Sequence, residues 1–197
     1  KPEHQEAVFT QGRAEFRRYD NAIETKTEIC VSPENDVEIR RITLMNHDRR
    51  DRRIEFTSYA EVALAPLAAD LAHQAFSGLF VQTEIVPAQN AILCTRRRRS
   101  PDEPEVWMFH ALVPFGHHGE ISFETDRARF LGRGRTPAWP AALDQPVGMS
   151  QPLSNTAGCV LDPIVSIRCA FTVSDDTPTQ FHLVTGAAAT REQALEL

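Results

Sequence analysis

Between Phe123 and Thr136 the chain sets acidic and basic side chains side by side, then an aromatic, then arginines flanked by glycine. Phe123-Glu124-Thr125-Asp126-Arg127-Ala128-Arg129-Phe130-Leu131-Gly132-Arg133-Gly134-Arg135-Thr136 reads as a strand end that passes into a tight loop. Glycine lets the backbone turn sharply, while a guanidinium projects planar, bidentate donors. Two readings stand side by side. The stretch is a salt-bridged loop serving its own domain, or an arginine loop touching an anionic or polyhydroxylated ligand or a neighbouring domain. Under the second reading Asp126 holds Arg127 by a charge-assisted hydrogen bond, Phe130 is the buried anchor, and Arg133 points outward between Gly132 and Gly134. Arg135 and, a few residues on, Trp139 complete the candidates for substrate or interdomain contact.

The other reactive side chains give no catalytic set. Arg96-Arg97-Arg98-Arg99 invites a phosphate- or nucleic-acid-binding reading. However, Ser100-Pro101-Asp102-Glu103-Pro104-Glu105 follows at once and neutralises it locally, which favours a solvated hairpin end. His117-His118 lacks the spaced, oriented ligands of a zinc site. His4, His47, His73, His110 and His182 stand alone and read as structural or exposed. Asp175-Asp176 falls in a turn. No nucleophile elbow and no glycine-rich phosphate loop is present. The four cysteines, Cys30, Cys94, Cys159 and Cys169, show no CxxC spacing and read as reduced, mostly buried thiols of a cytosolic setting. No catalytic residue, metal or cofactor is assigned.

These candidates need a scaffold, and the alternation of apolar and polar residues indicates β-strands. Ile23–Val31 alternates cleanly up to the turn Ser32-Pro33-Glu34-Asn35-Asp36. In Val37–Met45 the apolar phase shifts at Arg40-Arg41, which predicts a β-bulge. A charged hairpin loop from Asn46 to Arg52 leads into a long strand running to Leu67, with Ile54, Phe56, Ser58, Ala60, Val62 and Leu64 on one face. These three strands are expected to form an antiparallel meander. The run from Ala65 to Phe80 is too apolar for a solvated loop and is expected to pack on the sheet or on another domain. Phe80–Val86 and Ala91–Arg97, joined by Pro87-Ala88-Gln89-Asn90, read as a hairpin. Val106–Val113, Ile121–Thr125, Val165–Val173 and Gln180–Thr185 are further strands, the first of them buried on both faces, with Trp107 in the core. Gly132–Gly158 is a long excursion of the kind that is functional or docked on a partner. Thr190 caps a short final helix. Many strands, little helix and no βαβ alternation predict an all-β sandwich.

A length of 197 residues suits one domain, and a net charge of −6 gives no global basic field for nucleic acid. No apolar run reaches the roughly 20 residues of a membrane helix.

Three stretches carry a family resemblance: Asp36–Asn46, Thr57–Pro66, and Glu124–Gly134. They resemble the carboxy-terminal portion of cyclic β-1,2-glucan synthases, related to glycoside hydrolase family 94 (formerly glycosyltransferase family 36) and its cellobiose and chitobiose phosphorylases. The similarity runs from about Glu6 to Leu197. It implies a large antiparallel supersandwich, galactose-mutarotase-like, that precedes an (α/α)6 barrel. It divides the chain into a sandwich over 1–189, lacking its first strands, and the start of a linker helix over 190–197. General acid and phosphate-binding groups belong to the barrel, so none is carried over to a residue here. The expected partners are that barrel in the same polypeptide and a β-glucan, with no nucleic acid and no membrane contact by this stretch. Self-association through an unpaired edge strand is also expected. The whole protein would sit at the cytoplasmic side of a bacterial inner membrane, with this stretch soluble. The alternative is an independent carbohydrate-binding module, for which Trp139 is the best aromatic platform.

Overall fold

The computed structural model describes residues 2–145 and 151–197. In chain order the elements are β1 (His4–Thr10), β2 (Arg13–Asp20), β3 (Ile23–Val31), β4 (Val37–Asn46), β5 (Arg52–Thr57), β6 (Ala60–Glu61), α1 (Leu67–Gly78), β7 (Val81–Val86), β8 (Ala91–Arg96), β9 (Trp107–Pro114), β10 (Ser122–Asp126), α2 (Arg127–Leu131), β11 (Pro163–Val173), β12 (Thr179–Ala188) and α3 (Arg191–Glu196). Eight strands form one antiparallel sheet in the order β1-β2-β3-β4-β12-β9-β8-β7. A smaller sheet, β10-β11-β5 with β6 also on β11, packs against it. The protein is an all-β sandwich.

Directly opposed residues in a ladder share a face, so the register shows which side chains meet. Leu44 and Ile42 on β4, Phe181 and Leu183 on β12, Leu112 on β9, Ile92 and Cys94 on β8 and Val81 on β7 face the small sheet. From that sheet Val165, Ile167, Cys169, Phe171 and Val173 of β11 face them. Phe171 stacks on Phe181 with ring centroids 4.6 Å apart, and Phe56 of β5 lies 4.7 Å from Phe181 on another side. The outer face of the large sheet carries a second cluster of Val37, Leu93 and Phe109, covered by Ala194 of α3. Thr190 caps that helix by accepting from the Gln193 N–H, as the sequence predicts, and Arg191 forks onto Glu84 at 2.5 and 3.0 Å. Gly186 sits opposite Phe109, where a Cβ would come within 2.6 Å of the ring, so close packing excludes a larger residue.

Several expectations are corrected. There is no bulge at Arg40-Arg41, since β4 pairs without interruption with β3 and β12. The apolar phase shifts because Ile42 and Leu44 face the small sheet, whereas Val37 and Ile39 face the outer cluster under α3. The register shift falls instead between Glu124 and Asp126 on β10. β5 does not complete a meander with β3 and β4, because the charged loop carries it into the other sheet. The long strand ends at Glu61, not Leu67. β5 and β6 keep one register on β11, Thr57 opposite Arg168 and Ala60 opposite Val165, with the ladder interrupted at Ser58-Tyr59. Ser58 still donates its N–H to the Ile167 carbonyl there, at 2.9 Å. Beyond it Leu64 takes a positive φ of 45°, which ends extended chain.

The apolar run that follows is not a loop but the helix α1, kinked at His73. It leaves Leu67, Leu71, Phe76 and Leu79 exposed by half or more rather than packed on the sheet. β1 and β2 form a hairpin not anticipated from the alternation. Trp107 is half-buried at the edge of the outer cluster and donates Nε1–H to Glu105. Cys94 and Cys169 are buried, but Cys30 and Cys159 are exposed.

Candidate functional site

The outer face of β11 carries Ser166 and Arg168, and the excursion from Gly132 to Gly158 folds over it. Residues 146–150 of that excursion lie outside the described residues. Arg168 is 6% exposed. It donates Nε–H to Thr57 Oγ1 at 3.1 Å, Nη1–H to the Gln151 carbonyl at 2.9 Å and Nη2–H to the Ala142 carbonyl at 2.5 Å, both carbonyls belonging to the excursion. Its Nε lies 3.3 Å from the Glu55 carboxylate. Burial lowers the Arg168 pKa and the Glu55 charge opposes that shift, so the guanidinium acts as a fixed pin rather than a titrating group.

Glu124, 2% exposed, accepts the Thr125 and Asp126 N–H groups on one oxygen, each at 2.9 Å, and Ser154 Oγ on the other. A carboxylate used up in this way holds the returning segment of the excursion in place. Asn155 exchanges two bonds with the Phe123 backbone, at 2.8 and 2.9 Å, from a left-handed φ of 54°. The excursion is docked on its own domain along this line.

The five contact candidates separate into two groups. Asp126 does not hold Arg127. Its side chain caps α2 by accepting the Ala128 N–H at 2.9 Å and lies 3.7 Å from Arg129. Arg127 turns the other way, to Tyr59 Oη at 3.2 Å, Glu61 at 3.0 Å and Asp162 at 3.3 Å. The Tyr59 bond comes first among the influences that raise the Arg127 pKa. Arg135 pairs with Asp144 at 2.6 Å across the turn. Arg133 is exposed, between Gly132 (φ 78°) and Gly134 (φ 72°), as the spacing predicts. A Cβ on Gly132 would lie 2.7 Å from the Ala141 Cβ, so the glycine is needed for both conformation and space. Trp139 is 72% exposed. Phe130 is the buried anchor, 5.0 Å from the Tyr59 ring and packed with Leu131, Leu153 and Ile164. Asp126, Arg127 and Arg135 are therefore structural ties, and Arg133 and Trp139 are left facing outward.

A second feature, between the sheets, was not anticipated. A cleft of about 590 Å³ is lined by Thr27, Arg40, Phe56, Tyr59, Thr185 and His110, among others. His110, 3% exposed, bonds Thr185 Oγ1 through Nδ1 at 2.8 Å and Ser58 Oγ through Nε2 at 2.9 Å. Burial, with the nearby Arg40 charge second, pushes its pKa down to about 4. The signal available in the sequence was a lone histidine inside the apolar run Val106–Val113, on the alternation that faces the core.

His118 Nδ1 meets the Gly119 carbonyl at 2.8 Å. Among the described residues no three His, Cys, Asp or Glu side chains cluster as a metal site, and no helix is long and apolar enough to cross a membrane.

This sandwich, with its docked excursion, defines the class. The family model of the glycosyl hydrolase 94 supersandwich domain matches residues 1–197, so the chain belongs to that family. It is 42% identical over 161 residues to the cyclic beta-(1,2)-glucan synthase NdvB of Rhizobium meliloti (strain 1021), covering 81% of this chain and 6% of that protein. Among solved structures, a putative kojibiose phosphorylase from human microbiome aligns over 93% of this chain and 19% of its own, with 7% identity and a TM-score of 0.48. The heparan sulfate lyase HepC of Pedobacter heparinus aligns over 95% of this chain and 22% of its own, with 2% identity and the same TM-score.

Proposed function

We propose that this chain is the non-catalytic supersandwich domain of a cyclic β-1,2-glucan synthase-like protein, in which it packs on an (α/α)6 barrel of the same polypeptide and shapes that barrel's substrate cleft. The observation that carries the reading is the 42% identity to NdvB over 81% of the chain, in a relative of which the chain spans only 6%. The parent would work at the cytoplasmic side of the inner membrane. The work of the domain is geometric: Arg168 and Glu124 clamp the excursion, and Phe130 anchors the loop that turns Arg133 outward.

The isolated chain is expected to release neither glucose 1-phosphate nor reducing sugar from β-1,2- or β-1,4-glucans. Turnover that a single carboxylate substitution abolishes would overturn this reading. In the parent enzyme, Arg133→Lys keeps the charge but loses the planar fork, and activity is expected to fall about tenfold. Unchanged kinetics would make the Gly132–Gly134 tip a solvated turn.

The 72% exposure of Trp139 favours a second reading, an independent carbohydrate-binding module. It requires that the isolated chain bind β-1,2-glucan in a titration and that Trp139→Ala lose the binding. Binding without dependence on Trp139 removes this reading and leaves the first in place.

A further inference from the structure

In the arginine run at the end of β8, Arg97, Arg98 and Arg99 are exposed, as a solvated hairpin end predicts, but Arg96 is not. Arg96 is buried, its side chain 6% exposed, and only Nη1 finds an acceptor, Glu103 Oε1 at 2.8 Å. Its Nε and Nη2 are buried with no partner among the described residues. A guanidinium in that position ordinarily satisfies its donors, because an unanswered buried charge is costly.

Two further arginines crowd the same place. Arg96, Arg97 and Arg99 lie 5.6, 5.7 and 5.5 Å from the centroid of the Phe80 ring, and Arg99 also sits 6.0 Å from Phe76. The three cations are therefore gathered within about one Debye length, roughly 10 Å at ordinary ionic strength. The ring offers each some attraction, but one ring cannot neutralise three charges.

The carboxylates of the turn balance them only in part. Glu103 is engaged by Arg96 and by the Arg99 N–H at 2.6 Å. Glu105 accepts from Trp107 Nε1 at 2.7 Å. Arg97, Arg98, Arg99 and Asp102 enter no ion pair among the described residues. Arg97 and Arg99 are exposed, with their forks free to meet a ligand.

We propose that this turn is a binding site for a phosphoryl group, held by the forked donors of Arg97 and Arg99 at Phe80 with the field of Arg96 behind them. A phosphoryl group offers several acceptor oxygens and more than one negative charge, which suits several converging guanidiniums better than a single carboxylate does. The group could arrive on a soluble phosphate compound or on a lipid headgroup. For the second source, Phe76 and Leu79, 54% and 50% exposed at the end of α1, supply adjacent apolar surface.

The test uses the 197-residue chain labelled for observation of arginine Nε–H resonances. It is titrated with inorganic phosphate and with glucose 1-phosphate, and sedimented with vesicles of phosphatidylcholine alone or mixed with phosphatidylglycerol. The expected result is a saturable shift of the Arg97 and Arg99 resonances, or sedimentation with the anionic vesicles only. The double variant Arg97→Gln, Arg99→Gln should weaken that binding at least about tenfold for each fork lost, while Arg49→Gln, at an exposed arginine of the loop after β4, leaves it unchanged. A response to soluble phosphates assigns a soluble ligand, and a response confined to anionic vesicles assigns a headgroup. The proposal is overturned if neither probe binds saturably, if the double variant binds undiminished, or if Arg49→Gln weakens binding equally. Both substituted positions are exposed, so the double variant keeps the fold and its result is read on binding alone.

Discussion

Replacing Phe130 with alanine is expected to lower unfolding stability by about 3–5 kcal/mol, while Arg133→Lys, three residues away, leaves it within about 0.5 kcal/mol. The difference follows from what each side chain touches. Phe130 is 3% exposed and packs on Tyr59, Leu131, Leu153 and Ile164, which join α2, the strand break at Ser58-Tyr59, the returning excursion and β11. A five-residue helix such as α2 has almost no stability of its own, so its position depends on that contact and on the Asp126 cap. Truncation leaves a cavity whose walls are tied by hydrogen bonds, Tyr59 to Glu61 and Arg127, and can collapse only partly. Denaturant midpoints of the two variants read the effect directly. A loss below about 1 kcal/mol for Phe130→Ala would mean that the loop is not anchored through this ring. The same pair of variants in the parent enzyme separates positioning from contact: Phe130→Ala acts through stability, Arg133→Lys through kinetics alone.

The sequence indicated the sandwich because most strands bury one face, and burial on one face leaves a period of two. In Gln180–Thr185 Phe181 and Leu183 are buried between half-buried neighbours, whereas Val165–Val173 alternates apolar residues with Ser166 and Arg168 although both of its faces are buried. β1 escaped because every one of its residues is exposed, so no alternation marks it. The available sign was the Gln11-Gly12 turn, where Gly12 takes φ 78° between Thr10 and Arg13. α1 was misjudged for the opposite reason. Its apolar residues suggested a segment packed on the sheet or on another domain, and with Leu67 and Leu71 more than 70% exposed it is not packed on the sheet; the better guide to the helix was the Ala-rich composition after Pro66. At the site, glycine spacing located the exposed Arg133, because backbone conformation is a local property. The partners of Arg127 were beyond local reasoning, since Glu61 and Asp162 lie far from it in sequence. The cluster of Arg96, Arg97 and Arg99 about Phe80 was hidden for the same reason: the neighbouring carboxylates suggested full neutralisation, and in the folded turn only Arg96 gains an ion pair, with Glu103.

His110 is expected to make the protein lose about 3 kcal/mol of stability as pH falls from about 6.5 to about 4. The Ile167 N–H donates to Ser58 Oγ at 2.9 Å, which leaves the Ser58 hydrogen free to donate to His110 Nε2. The proton of the neutral ring then sits on Nδ1 and donates to Thr185 Oγ1. A second proton would have to go on Nε2 and displace the Ser58 hydrogen, whose alternative acceptor, the Ile167 carbonyl, is 3.5 Å away. Burial and the Arg40 charge already oppose the cation, and the folded pKa is held down to about 4 against an ordinary 6.5. Between those values the unfolded chain binds the proton and the folded one does not. The stabilisation is thus complete above pH 6.5 and declines with acid. Glu28 is separable from this. Hydrogen bonding from Arg41, the leading influence, lowers its carboxyl to about 2 from 4.5, so its contribution is present above 4.5 and is lost as pH falls toward 2. His182 is shifted in the same direction as His110, chiefly by partial burial, and its share of the slope remains in any His110 variant. His110→Gln should therefore be less stable near neutral pH but flatter from 6.5 to 4, the two curves converging as acid protonates the native histidine. Denaturant midpoints measured across that range check it. An equally steep slope in the variant would move the acid sensitivity away from the Ser58–His110–Thr185 chain and onto the surface carboxylates.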